Sequence, residues 1–552
     1  MFLKDQQFLF LRKMNKILKF LKDPTIILFI LIGVGGFLRI YNLNWDNGYF
    51  LHPDERIYVN SSNIYIPKDL ALLFTPDSPL NTKEFSYGSF PLYIYKLAQT
   101  FILPTSNFLF VSRLISSILS ILTIPLIFFL SKELFGKKVS TVAAVIFTFT
   151  PGSIQHAHFN TTESILIFFV VAITLLSIKA VKNKNYLLFI VLGILIGTSY
   201  ASKITGLTFI ILPVISFIYL FFKNIGVKKI ILLILLFLFS SMIFGALLAP
   251  YQIIDFNRFR ERQEEEQNVV YGKYERVYAM IYEQTKPYIY PLTKVLPFSF
   301  GFISLPLSLM GLIFILKMLK GKRKYVYLFI LIYPILYFLW AGAWYAKFSR
   351  YYILLIPFLS IWASYFLSQL KKSYMIFLTL LIIMNGLLFF RIYSKENTRV
   401  EASNWIYENS PDQSKILGEH WDDNLPVPVR KTKNFQITQV AVYDPDSIQK
   451  IHKLSEDLSR NDYFIISSRR VYYSILQNAN KYPLTSRFYK LLFEEKLGYK
   501  LVKTFTNYPF YFSDDFADES FQSYDHPPVL IFKNVGKIDS AKILNLINKT
   551  VF

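Results

Sequence analysis

The chain of 552 residues is 53% hydrophobic and 18% aromatic, carries a formal net charge of +23, and contains no cysteine. Disulfides and thiolate metal sites are therefore excluded. The apolar residues gather into runs near bilayer-crossing length, and much of the Lys and Arg clusters between those runs, so the positive charge points to membrane orientation and not to nucleic acid.

The first apolar run, about residues 24–40, follows Lys4, Arg12, Lys13, Lys16, Lys19 and Lys22. It is span-length and lacks a small-residue cleavage site, so it reads as an uncleaved first span. A loop over 43–87 comes next and contains His52-Pro53-Asp54-Glu55-Arg56. Pro53 suits the first turn of a helix, where two acids would face the positive end of the helix dipole. Residues 88–103 are apolar but short and contain Pro91 and Lys96, which predicts an interfacial helix. Further spans are predicted at about 111–131, 139–155, 164–181, 186–201, 204–222, 230–249, 294–316, 325–341, 351–369 and 374–391, for eleven in total. With the N-terminus cytoplasmic, this count puts every basic cluster inside: Lys132/Lys137/Lys138, Lys179/Lys182/Lys184, Lys223/Lys228/Lys229, Lys317 to Lys324 and Lys371/Lys372. Outside then lie the Asp54 loop, residues 156–163, the turn at Lys203, the loop 251–293, residues 342–350 and the tail. Chemistry is expected at that outer face.

The tail, 393–552, changes character. A helix is predicted over Arg399–Glu408, stopped near Pro411, and strands at Lys415–Gly418, Phe435–Val442, Tyr463–Ser467, Leu501–Phe505 and Val529–Phe532. Asp446 or Ser447 could cap one helix, and Ser486 another that ends at Gly498. This predicts a soluble α/β domain outside the membrane. The run Glu261–Gln267 reads as a solvated helix face.

Several residues could carry chemistry. Asp54 at an outer boundary could accept a proton from a hydroxyl. Glu163, in His156-Ala157-His158-Phe159-Asn160-Thr161-Thr162-Glu163, either caps its span or meets Asp54 to hold a cation or polar substrate; two His at i, i+2 do not share a helix face, so a zinc motif is unsupported. Lys203 and Arg350, with Lys347 nearby, either snorkel or form a phosphate clamp. In the tail, Glu419–Asp423 and Tyr524–Pro527 combine acids, His and aromatics, as structure or as acceptor recognition.

These residues resemble those of a known group. HPDE at 52–55, SYGSFPLY at 86–93, VSRLISS at 111–117, QHAHFNTTES at 155–164 and KFSRYYILLIPF at 347–358 look like the GT-C membrane glycosyltransferases, nearest the dolichyl-phosphate-mannose-protein mannosyltransferase and aminoarabinose transferase group, glycosyltransferase family 39. The resemblance spans about 20–392, and the tail with ILGEHWDDNLP and YDHPPVLIF resembles outer domains of some bacterial members. It implies a mainly α polytopic GT-C fold over 1–392 with a C-terminal soluble α/β domain over 393–552, in the cell membrane. It further implies a polyprenyl-phosphate sugar donor and a protein, lipid or polysaccharide acceptor, with no nucleic acid. Inverting transfer would use Asp54 as base, with Arg350 and Lys203 on the donor phosphate. Glu55, Glu163 and His158 would orient substrate, and Glu55 or Glu163 would hold a divalent metal if one takes part. The alternatives are a lipid-linked sugar flippase, which should show internal repeats and midplane polar sites, a non-catalytic envelope scaffold, and a ligase moving whole glycans.

Overall fold

All eleven predicted apolar runs are helical in the computed structural model, which describes residues 23–549 apart from 275, 322, 323, 431 and 511. The basic residues from Lys4 to Lys22, and Lys322 and Arg323, lie outside the described residues. The helices are α1 (Pro24–Ile40), α2 (Pro53–Asn60), α3 (Ser89–Phe101), α4 (Phe108–Phe135), α5 (Lys137–Thr148), α6 (Pro151–Ala157), α7 (Glu163–Lys182) and α8 (Leu188–Ser202). After a 3-10 turn at Ile204–Ile210 follow α9 (Ile211–Phe222), α10 (Val227–Leu248), α11 (Phe256–Val270), α12 (Ser304–Met318), α13 (Lys324–Ala341), α14 (Ile356–Gln369) and α15 (Lys372–Phe390). Among the described residues, seven segments are long and apolar enough to cross a membrane, or eight if the bent pair Pro291–Ser299 and Ser304–Met318 forms one span. The remaining runs are shorter or broken: α1 has 17 residues and α8 has 15.

Two breaks have identifiable causes. The run 139–155 is divided because Pro151 has no N–H and its ring displaces the preceding turn. Carbonyls stranded at such a break need donors where water is absent. Arg39 of α1 supplies them: its guanidinium donates to the carbonyls of Phe147 and Thr148 at 3.2 Å each, to Ser153 Oγ at 3.0 Å and to Ser120 Oγ at 2.8 Å. The pair ending in α12 turns by 109° just after Gly301, whose φ is +121°.

One glycine positions the site directly. Gly88 donates its N–H to the Ser202 carbonyl at 2.9 Å, and a Cβ there would lie 1.9 Å from the Ala201 carbonyl oxygen. Only glycine lets the 86–88 segment lie against the end of α8, which sets Tyr87 under the Lys203 ammonium, 5.1 Å from the ring centre.

Beyond α15 the chain builds a five-stranded sheet in the order β2-β1-β3-β5-β4. β1 (Lys415–Glu419) pairs parallel with β2 (Gln436–Val440) and β3 (Tyr463–Ile466), while β5 (Val529–Asn534) runs antiparallel to β3 and β4 (Tyr499–Phe505). Helices α16 (Thr398–Asn409), α17 (Ile448–Arg460), α18 (Arg470–Gln477), α19 (Pro483–Phe493) and α20 (Ser540–Asn548) cover it. Ser447 caps α17 by accepting from the Lys450 N–H. Ser486 does not cap: α19 starts three residues earlier at Pro483, which is preset for a first helical position.

The sheet domain is tied to the helical part through His526. This buried imidazole lies between Asp525 (Nδ1, 2.5 Å) and Asp514 (Nε2, 2.9 Å). Asp525 also accepts from Tyr393 Oη at 2.7 Å, beyond α15, and from Gln155 Nε2 of α6 at 3.2 Å. Burial alone would strip the ring of its proton, but Asp525 and Asp514 outweigh it and hold the imidazole up at about 10. A group raised from about 6.5 stabilises the fold fully below that pH and loses its contribution as pH rises through about 10. The thermal unfolding midpoint of the purified protein should therefore fall between pH 7 and 10, and fall less in His526→Gln. Equal pH slopes would contradict the assignment.

Candidate functional site

The loop before α2 is built around a buried cation. Arg113, in the second turn of α4, donates to Asp46 (2.9 and 3.0 Å), to Glu55 (2.9 and 2.5 Å) and to the Leu43 carbonyl (2.8 Å), and its guanidinium lies 4.7 Å from the centre of the Trp45 ring. All three charged side chains have no exposure. Burial raises Asp46, but Arg113 and the N–H groups of Leu51 and Gly48 bring it below its ordinary range. The loop is thereby drawn onto α4.

From this anchor α2 begins at a fixed place and angle. His52 caps it, its Nδ1 accepting the Asp54 N–H at 3.2 Å, and its ring packs on Tyr524 and Phe159 with centres 4.0 and 4.6 Å away. Pro53 occupies the first helical position. Successive helical residues point about 100° apart, so Glu55 turns inward while Asp54 faces a cavity of about 740 Å³.

That cavity lies between the helical part and the sheet domain. Asp54, Lys203 and Arg350 line one side; Trp421, Asp423, Arg470 and Tyr524 line the other. Asp54 and Arg350 form a direct ion pair, 16% and 19% exposed. The Arg350 guanidinium also lies over Phe348 at 4.7 Å, and its Nε has no partner. Lys203 Nζ reaches Glu163 Oε1 at 3.2 Å. Trp344 lines the wall with its buried indole N–H unpartnered. α11 closes one flank. Its Arg262 binds Ser86 Oγ at 2.8 Å and Glu84 at 3.2 Å, and Gln263 donates to the Phe85 carbonyl at 2.6 Å. The stretch 261–267 is thus a wall of the cavity and not merely a solvated face.

The residues singled out in the sequence divide into two groups. Asp54, Lys203 and Arg350 come together in the cavity, with Glu163 holding Lys203. Glu55 does not reach it: Arg113 and the Asn160 N–H, at 2.5 Å, occupy both its oxygens, which replaces the expected orienting or metal-holding role with a structural one. His158 is likewise structural, its two ring nitrogens 2.9 Å from the Ile154 and Tyr41 carbonyls and its ring stacked 3.7 Å from Tyr393. Burial lowers its pKa to about 4. Lys347 turns away from the clamp to Thr285 Oγ1 and the Tyr345 carbonyl, both at 2.9 Å. Among the described residues no three His, Asp or Glu side chains gather as a metal site. Glu163 keeps one buried oxygen, Oε2, without a hydrogen-bond partner. One free carboxylate oxygen is not a ligand set, so no step is routed through a metal. Sequence alone assigns Arg113, within VSRLISS, no anchoring role, because a single Arg near the start of an apolar run looks like a snorkelling residue. An intramembrane cation two loops after three acids was the available signal.

Residues 91–251 match the dolichyl-phosphate-mannose-protein mannosyltransferase family. The chain is 25% identical over 212 residues to the putative mannosyltransferase YkcB of Bacillus subtilis (strain 168), covering 38% of this chain and 28% of that relative's length. The oligosaccharyltransferase of Archaeoglobus fulgidus, solved in its apo form, superposes with a TM-score of 0.50 over 84% of this chain and 72% of its own, at 14% identity. The archaeal oligosaccharyltransferase AglB from Archaeoglobus fulgidus, solved with an inhibitory peptide and a dolichol-phosphate, gives the same values. This chain has the GT-C glycosyltransferase fold. It is a multi-pass membrane protein. The family match includes Arg113, Glu163 and Lys203 but ends before Arg350 and starts after Asp54. Within this GT-C chain the roles of those two residues therefore rest on their geometry.

Arg113→Met should leave Asp46 and Glu55 as uncompensated buried charges, a loss of about 3–5 kcal/mol. Equilibrium unfolding in detergent should show this as a sharply lowered midpoint. An unchanged midpoint would contradict the anchoring role.

Proposed function

We propose that the protein transfers a sugar from a polyprenyl-phosphate donor to a hydroxyl acceptor at the outer face of the membrane, with inversion at the anomeric carbon. The observation that carries this reading is the contact between a carboxylate and a guanidinium, Asp54 and Arg350, on the wall of a large cavity at the ends of apolar helices. The names of similar proteins agree in chemistry: one is a putative mannosyltransferase and another was solved with dolichol-phosphate.

The pair suggests a working order. A phosphate entering the cavity competes with Asp54 for Arg350, because a guanidinium binds phosphate oxygens bidentately. Lys203, steadied by Glu163 and Tyr87, adds a point charge. Once Arg350 has moved to the phosphate, Asp54 has free lone pairs. The acceptor oxygen then attacks the anomeric carbon and gives its proton to Asp54. The bond from that carbon to the phosphate oxygen breaks, and its electron pair leaves on a phosphate that Arg350 and Lys203 neutralise. Such preorganised charge is the electrostatic contribution expected to matter most in phosphate departure. Apolar helices around the cavity give the lipid tail a place to lie. The basic clusters between the apolar runs support this orientation, with the cavity and sheet domain on the side away from the cytoplasm.

Transfer from an undecaprenyl-phosphate sugar to an acceptor extract is the test. Asp54→Asn should lower kcat by about 10²–10⁴, the usual range for a lost general base, while binding donor normally. Arg350→Ala should raise the donor Kd, and Glu55→Gln should affect stability more than donor binding. Wild-type turnover in Asp54→Asn would remove Asp54 from the mechanism.

A further inference from the structure

Within Glu419–Asp423, Trp421, Asp422 and Asp423 take no part in the steps above, yet they line the same cavity from the sheet domain. Trp421 is 52% exposed, with a backbone φ of +79°. A bulky side chain rarely adopts this left-handed conformation, and it persists only where the surroundings enforce it. Here they do. Asp422 accepts from Ser468, from Arg399 at 3.3 Å and from the Asp423 N–H at 2.8 Å. Asp423 pairs with Arg56, one turn beyond the start of α2, and with Arg399 at 3.2 Å. On the other side the His420 N–H donates to the Val440 carbonyl at 3.0 Å. Among the described residues the one ring contact of the indole is an edge contact with His420. An aromatic face so held on the wall of a cavity, in a conformation glycine would adopt more readily, is the kind of backbone strain that clusters at ligand clamps.

The charges around it indicate which ligand. Arg56 pairs with Asp423, Arg399 with Asp422 and Asp423, Arg470 with Glu519 at 2.8 Å, and Arg262 with Glu266 at 3.1 Å. These four guanidinium groups are balanced by four carboxylates, Asp422, Asp423, Glu519 and Glu266, so this part of the lining carries no net charge that would favour a phosphorylated or a basic ligand. A neutral ring bearing hydroxyls fits: its C–H face stacks on the indole, and its hydroxyls exchange hydrogen bonds with groups that already balance one another.

We propose that Trp421 is the stacking platform for an uncharged sugar ring, so that the sheet domain selects a carbohydrate as acceptor. Only the word acceptor rests on the transferase reading. The test uses the full-length protein in lipid nanodiscs and saturation-transfer NMR with neutral disaccharides (mannobiose, cellobiose and maltose), a Ser/Thr-rich peptide and, in a separate titration, undecaprenyl phosphate. At least one disaccharide should bind. Its affinity should drop roughly ten-fold, as for one lost stacked ring, in Trp421→Ala and Trp421→Gly, and be largely kept in Trp421→Tyr. Glycine suits the φ of +79°, so the loss in Trp421→Gly should come with an unfolding midpoint no lower than wild type. Undecaprenyl-phosphate affinity should be unchanged in all three. The proposal is overturned if no disaccharide binds, if binding ignores Trp421, or if only the peptide binds. Failure of the wild type to bind undecaprenyl phosphate would strike the transferase reading and leave the disaccharide result standing.

Discussion

A positive charge removed from water has to be answered, and in this molecule the answer to Arg113 shapes everything above it. The guanidinium lies without solvent exposure near the N-terminal end of a 28-residue apolar helix. Two carboxylates, Asp46 and Glu55, are drawn down onto it, and with them the whole loop between α1 and α2. Such a triad adds little net stability over an apolar replacement, because desolvation offsets much of the attraction. What it supplies is position. With Glu55 held inward, the adjacent Asp54 has one direction left, and that direction is the cavity.

The cavity is then a product of three parts that would not form it singly. The 86–88 segment is fastened to α8 by a contact only glycine permits, which sets Tyr87 and Lys203 together. α11 fastens to the same segment through Arg262 and Gln263. The sheet domain closes the opposite side, docked through the doubly paired His526 and through Asp518, which accepts from Tyr282 and Tyr290 at 3.0 Å each. Across this space the two sides present different groups. The helical side offers Lys203, paired with Glu163, and Arg350, paired with Asp54. The sheet-domain side presents balanced ion pairs around an exposed indole. The proposed donor phosphate suits the first and the proposed neutral ring the second.

Much of this was legible in the sequence, for physical reasons. Apolar runs of span length and alternating strand segments are set by local composition, so the five strands and most of the helices fall close to the predicted runs. Pro53 and the acids behind it announced a helix start. The meeting of Asp54, Lys203 and Arg350 followed from placing three turns on one side of a membrane. What escaped was long-range pairing. Nothing local distinguishes Glu55 from Asp54, because the choice between them is made by Arg113, 58 residues away. Pro151 could have warned that the run 139–155 is two helices, but the donor that makes this tolerable, Arg39, lies over a hundred residues earlier. The acidic run of α11 looked like a solvated face because composition reports polarity and not what the polar face covers. The φ of Trp421 has no sequence signature, since a tryptophan there runs against local preference.

The central claim is that Arg350 exchanges Asp54 for the donor phosphate. A cryo-electron microscopy structure of the protein in nanodiscs with undecaprenyl phosphate tests it directly. The phosphate should lie between Arg350 and Lys203, with the Arg350 guanidinium withdrawn from Asp54 and the carboxylate open to the cavity. A bound phosphate elsewhere, with the Asp54 and Arg350 side chains still in contact, would contradict the account.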